Sequence, residues 1–105
     1  MKVYDTEQSQ IIQIDNVIIL TRDTRQMACG TITIHLDTLD NTTPEEVSKI
    51  VKEKMHWMGH IFFSQDIIAA KASFSGAVRL ATDKILAKKN IRCTRIHIAE
   101  VKILL

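Results

Sequence analysis

From Gly30 to Asp37 the chain alternates without interruption, with Ile32, Ile34 and Leu36 on one side and Thr31, Thr33, His35 and Asp37 on the other. A period of two residues marks a strand with one buried face. Something else in the chain must therefore cover those isoleucines. Upstream, Ile11, Ile12, Ile14, Val17, Ile18, Ile19 and Leu20 concentrate β-branched side chains, and the polar pentad Arg22-Asp23-Thr24-Arg25-Gln26 follows them. This reads as a second strand and a turn, and the two segments most simply form an antiparallel hairpin.

The cover is announced at Asp40-Asn41-Thr42-Thr43-Pro44-Glu45-Glu46. Thr43 can accept from free backbone N–H groups, Pro44 suits the first helical position, and Glu46 completes a capping box. Both glutamates favour the positive end of the helix dipole. Val47, Ile50, Val51, Met55 and Met58 recur at helical spacing, and Gly59 is placed to stop the helix in a left-handed conformation, so a helix is predicted over 44–58. His60 to Phe63 is short and apolar, either a brief strand or a crossover that fills the core.

Residues 66–89 admit two readings. As one helix, Ile67, Ala70, Phe74, Ala77, Val78, Ala81 and Ile85 form a single stripe, with Ser64 or Asp66 as cap. As a strand over 67–74 followed by a helix capped at Ser75, the alternation is weaker because Ala69 spoils the polar face. That version does spare Gly76 a helix interior, where it costs ~1 kcal/mol relative to alanine. The long helix is the better fit. Lys88, Lys89 and Asn90 end it, and Ile91 to Ile103 reads as the last strand. Its apolar residues change parity between the pair Ile96, Ile98 and the pair Val101, Ile103, which a bulge or edge bend near Ala99 and Glu100 would reconcile.

The expectation is one α+β domain over residues 1–105, with a polar N-terminal segment at 1–10. Connection rules make it a two-layer sandwich, a mainly antiparallel sheet with two helices on one face in the order ββααβ. If 60–63 and 67–74 pair as strands, it becomes ferredoxin-like with an extra N-terminal strand. Neither version specifies a function.

Composition narrows the function classes. An apolar fraction of 46% with 25% charged residues excludes disorder, and no apolar stretch approaches the ~20 residues of a spanning helix. Residues Met1 to Gln10 lack the apolar run of a secretory signal. Cys29 and Cys93 are too few and too far apart for a disulfide framework or a zinc ribbon, and they read as buried thiols of a protein in a reducing cytoplasm. No membrane contact is expected. With Gly30, Gly59 and Gly76 as the only glycines there is no phosphate-cradling loop, and no cofactor is expected. The net charge of +2 is uneven: residues 1–43 hold three basic and six acidic groups, a net −3, and residues 44–105 hold eleven and six, a net +5.

Three constellations carry candidate chemistry. His56 and His60, four apart, could ligate a metal from one helical face. Gly59 between them argues against a shared face, and no metal is expected. His35, Asp37 and His97, with Arg95 nearby, could meet on the polar side of the sheet and work in proton transfer; the alternative is the ordinary solvated face of an antiparallel sheet. Lys84, Lys88, Lys89, Arg92 and Arg95, with Lys102, could track a phosphate backbone. They lack interleaved aromatic residues for stacking, and lysines in a last helical turn already complement the dipole.

A sheet of this size leaves open edges, and the last strand runs into Ile103, Leu104 and Leu105. Apolar surface of that kind points to an interface, most simply between copies of the chain. The leading expectation is thus a non-enzymatic homo-oligomer that binds a small ligand or a protein partner between subunits. A nucleic-acid-binding domain using the basic half is the alternative, and a small enzyme built on the histidine cluster is the third.

Overall fold

A computed structural model describes residues 1–6 and 9–104. It is an α+β sandwich: a five-stranded antiparallel sheet carries a layer of helices on one face. In chain order the elements are β1 (Lys2–Asp5), β2 (Gln10–Ile14), β3 (Val17–Leu20), β4 (Gln26–Leu36), α1 (Pro44–Gly59), α2 (Ser64–Ala69), α3 (Lys71–Leu86), a 3-10 turn (Ala87–Lys89) and β5 (Cys93–Ile103).

The hairpin anticipated from the isoleucine run is present, and longer. Strands β2 and β3 both lie against β4 in one continuous register, from Gln10↔Leu36 to Leu20↔Gln26. They are two halves of one strand interrupted at Asp15 and Asn16. Strand β5 covers the opposite edge of β4 along its whole length. The segment expected to be a polar N-terminal extension instead forms β1, which adds to the outer edge of β2 through pairs such as Tyr4↔Ile11. All four of its residues are exposed, so no buried apolar face signals it, and backbone pairing holds it with the Gln10 amide donating to the Asp5 carboxylate.

The parity change expected near Ala99 and Glu100 is real, but it belongs to the whole sheet. Buried positions switch from Ile12 and Ile14 to Val17 and Ile19 in one strand, and from Met27 and Cys29 to Ile32, Ile34 and Leu36 in β4. The switch points lie side by side, since Gly30 pairs with Glu100 and the register does not slip there. Asn16 and Thr31 take positive φ, 55° and 48°, and a left-handed residue in an extended strand reverses which face the next side chain meets. The one register irregularity in the β4–β5 ladder lies instead at His35/Leu36.

Helix α1 begins as predicted: the Thr43 side chain accepts from the Glu46 N–H at 3.2 Å. The Glu46 carboxylate turns outward, accepting from Thr42 Oγ1 and Lys89 Nζ, each at 2.7 Å. Gly59 does not terminate the helix in a left-handed conformation; no glycine of the chain has positive φ. It is the last residue of α1 and lies against β3, where a Cβ would sit 2.9 Å from the Leu20 carbonyl oxygen. Residues 60–63 form a turn, and 67–74 is helical, so the ferredoxin-like alternative does not occur.

The single long helix is also corrected. Ala70, at φ −143° and ψ 66°, separates α2 from α3. Neither expected residue caps α2. Ser64 opens it, and its N–H and hydroxyl donate to Asp23 at 2.8 and 2.6 Å. The capping carboxylate therefore arrives from the β3–β4 turn, 41 residues away. In the same clamp the Arg22 N–H donates to the Phe62 carbonyl at 2.9 Å, and the Arg22 guanidinium lies over the Phe63 ring. The break also turns α3, so that Phe74, Ser75, Val78, Thr82 and Leu86 face the sheet, while Ala77, Ala81 and Ile85 are only partly covered.

Candidate functional site

The sheet brings His35 and His97 to its open face. His35 pairs with Arg95, and Thr33 pairs with His97, so the two histidines are diagonal neighbours and Arg95 stands opposite one and two residues along the strand from the other. Partial burial, then the charges of Arg95 and His97, hold the His35 imidazole below its ordinary range. Asp37 does not complete a proton-transfer set there. Its Oδ1 accepts from the Arg92 backbone N–H at 2.9 Å, fastening the start of β5. Among the described residues no side-chain hydrogen bond joins His35, Arg95 and His97. Among the described residues no carboxylate orients either imidazole, the arrangement that base catalysis by histidine relies on.

His56 sits in the last turn of α1, and His60 follows the helix with right-handed backbone angles. Gly59 thus does not throw His60 out of register, contrary to the sequence argument. Even so, among the described residues no three His, Cys, Asp or Glu side chains come together as a metal site would need. The basic series is divided. Lys89 bridges to Glu46 at 2.7 Å, and Arg92 forms a two-point pair with Asp83, Nε to Oδ1 at 3.1 Å and NH2 to Oδ2 at 2.9 Å. Asp83 also accepts from the Cys93 N–H at 2.8 Å, and the Arg92 contact first, then this one, holds its carboxyl below the usual range. Lys84 faces the helical layer and Arg95 the sheet, so the five cations do not form one track.

At the C-terminus, Ile103 pairs with Met27 and packs partly buried against the chain's own core. The Leu104 N–H donates to the Gln26 carbonyl at 2.8 Å. Leu105 lies outside the described residues. Both cysteines are buried free thiols; burial pushes Cys29 up to about 11, and burial, with the Asp83 charge second, pushes Cys93 up to about 12. Neither is a thiolate at neutral pH.

Two surfaces emerge that periodicity did not expose. One is a cleft of about 380 Å³ between α1 and α3. Trp57, 66% exposed, and Leu80, 54% exposed, line it together with Met58, Ala77 and Ala81. Lys54 and Lys84 also line it. The signal was present, because Trp57 and Leu80 both fall off the apolar stripes of their helices. The other is a groove of about 380 Å³ between α3 and the free edge of β5, with Lys71, Arg79, Arg95 and His97 around Ala72, Ser75 and Gly76.

Compared with known protein families and with curated proteins, the chain matches no family model and no individual protein, so its two surfaces and its sheet face are the ground for any functional reading.

Proposed function

We propose that the chain is a non-enzymatic module that assembles with a second copy of itself through its helical layer and binds a small ligand or protein partner on the assembled surface. The exposed indole of Trp57 carries this reading. An aromatic side chain is among the largest apolar groups a protein can withdraw from water, and burying one contributes about 2 kcal/mol. Here it stands beside a cleft whose lining includes the small residues Ala77 and Ala81. A projection next to a hollow on one surface is self-complementary: under a twofold axis each Trp57 enters the other copy's cleft. Lys54 and Lys84 can lay their methylenes along the apolar surface while their ammonium groups stay in water.

The reading places the module in a reducing cytoplasm, in keeping with its two buried free thiols. A nucleic-acid reading is weaker, because Lys89 and Arg92 are already held by Glu46 and Asp83. Native mass by size exclusion with light scattering tests the proposal. A multiple of 11.9 kDa is expected, and the double variant Trp57→Glu, Leu80→Glu should run as a monomer with an unchanged circular dichroism spectrum. A wild-type monomer at ~100 μM, or a variant that keeps the oligomer, would remove the reading.

A further inference from the structure

Among the described residues strand β5 is paired on one side only, with β4. The Leu104 N–H, even-numbered, points to β4, where it meets the Gln26 carbonyl, whereas the carbonyl of Ala99 accepts from Lys71 Nζ at 2.6 Å. Backbone groups in an antiparallel ladder face alternate sides, so beyond the crease Val101 and Ile103, whose side chains face the helices, look outward, and before it the same relation of side chain to backbone makes Ile96 and Ile98 look outward. Two of the outward carbonyls are capped by side chains of α3: Ala99 by Lys71, and Cys93 by Arg79 NH1 at 3.1 Å. Between those caps the backbone groups of Ile96 and Ile98 face the groove. The span from Cys93 to Ala99 is about 20 Å of extended chain, enough for a strand of five or six residues.

The groove beside this edge has a marked chemistry. Its α3 wall is made of Ala72, Ser75 and Gly76, and at Gly76 an added Cβ would meet nothing within 4 Å. Its charged residues are Lys71, Arg79 and Arg95, with His97 beside them, and among the described residues no acidic side chain lines it. Among the described residues none of those three cations is in an ion pair.

We infer that the free edge of β5 binds an extended acidic peptide by strand addition. Main-chain hydrogen bonds to Ile96 and Ile98 supply the ladder, and alternate side chains supply the specificity. Every second residue of the peptide faces the open side of the sheet, where a carboxylate meets Arg95 and His97. The residues between them face the α3 wall and must be small or apolar to lie on Ala72, Ser75 and Gly76. Lys71 and Arg79 occupy the edge carbonyls of Ala99 and Cys93 in the free protein and release them to the strand that docks. A second copy of β5 fits the edge poorly, because it would set Arg95 and His97 of one chain beside those of the other.

The test is an NMR titration of the full chain with a blocked hexapeptide of alternating Glu and Val. Shifts are expected at the backbone amides of Arg95 to Ala99 and in the first half of α3. Arg95→Glu, an exposed position, should weaken binding at least about tenfold, and Gly76→Leu should block it without lowering the melting temperature. The proposal is overturned if no amide shifts at millimolar peptide, or if a Lys-Val peptide binds as well. It fails equally if replacing the valines by prolines, which removes ladder donors, leaves affinity unchanged. Dependence of the same amide shifts on protein concentration alone would assign the edge to a second copy and likewise overturn it.

Discussion

Two glycines stand in the helices, and one substitution should move stability in opposite directions at them. Gly76 lies inside α3 with nothing within 4 Å of where a Cβ would be. Alanine there removes the backbone entropy that glycine loses on folding, and Gly76→Ala should stabilise the protein by about 1 kcal/mol. Gly59 gains part of the same term, being the last residue of α1. Its Cβ, however, would lie 2.9 Å from the Leu20 carbonyl oxygen and 3.4 Å from Ile19 Cβ. The nearest obstacle is the backbone at the end of β3, which cannot rotate aside as a side chain can. Overpacking of this kind costs about 1–3 kcal/mol, so Gly59→Ala should destabilise by about 1–2 kcal/mol once the helical gain is subtracted. The two variants should then differ by about 2–3 kcal/mol, or roughly 10 °C or more in Tm for a domain of this size. Urea unfolding followed by circular dichroism measures both, with unchanged m-values as the check that only the native state has been altered. If Gly59→Ala proves as stable as Gly76→Ala, the close approach of α1 to β3 is not real, and the account of Gly59 as a packing residue falls with it.

Thr82 is fully buried, and its hydroxyl has no hydrogen-bond partner among the described residues; Thr82→Val keeps the shape and should raise the urea-derived stability by about 1 kcal/mol, whereas a loss would indicate a hydrogen bond to buried water. Asp23 titrates well below the usual carboxylate range, chiefly through the Ser64 hydroxyl and then Thr21 and the Ser64 N–H. Because its folded pKa is depressed, its contribution is present above the ordinary carboxyl pKa of about 4 and is lost as pH falls through the lower folded value. Asp23→Asn should therefore flatten the fall in urea midpoint between about pH 5 and about pH 2, though Glu46 and Asp83, also depressed, leave part of the slope. A variant with the wild-type acid profile would show that the clamp between the β3–β4 turn and α2 carries no linkage.

Legibility followed the kind of interaction involved. Strand β4 and the start of α1 could be read directly, because alternation and the Thr43-Pro44 cap are local codes that the backbone obeys wherever the segment lies. Strand β1 could not be, since Lys2–Asp5 is exposed on both faces and held by its neighbour's backbone. The break at Ala70 escaped for a related reason. Residues 64–86 have helical periodicity throughout, and what ends α2 is its place against the turn that carries Asp23, 41 residues earlier.

The candidate sites divide in the same way. That His35, Arg95 and His97 would share a face followed from strand parity; that Asp37 would hold the Arg92 N–H instead of an imidazole did not. Trp57 and Leu80 were visible as apolar residues off their stripes, but only the packing of α1 against α3 puts them on one cleft.

The sequence by itself determined the α+β class, the buried face of each long strand and the first turn of α1, because each depends on spacing within one segment. Tertiary structure alone decided the shared crease through Asn16 and Thr31, the capping of α2 from a distant turn, the close fit of Gly59 on β3, and the two clefts beside α3. Those features arise where segments remote in sequence meet, and periodicity within a segment carries no information about which neighbour it will find or how closely the two backbones approach.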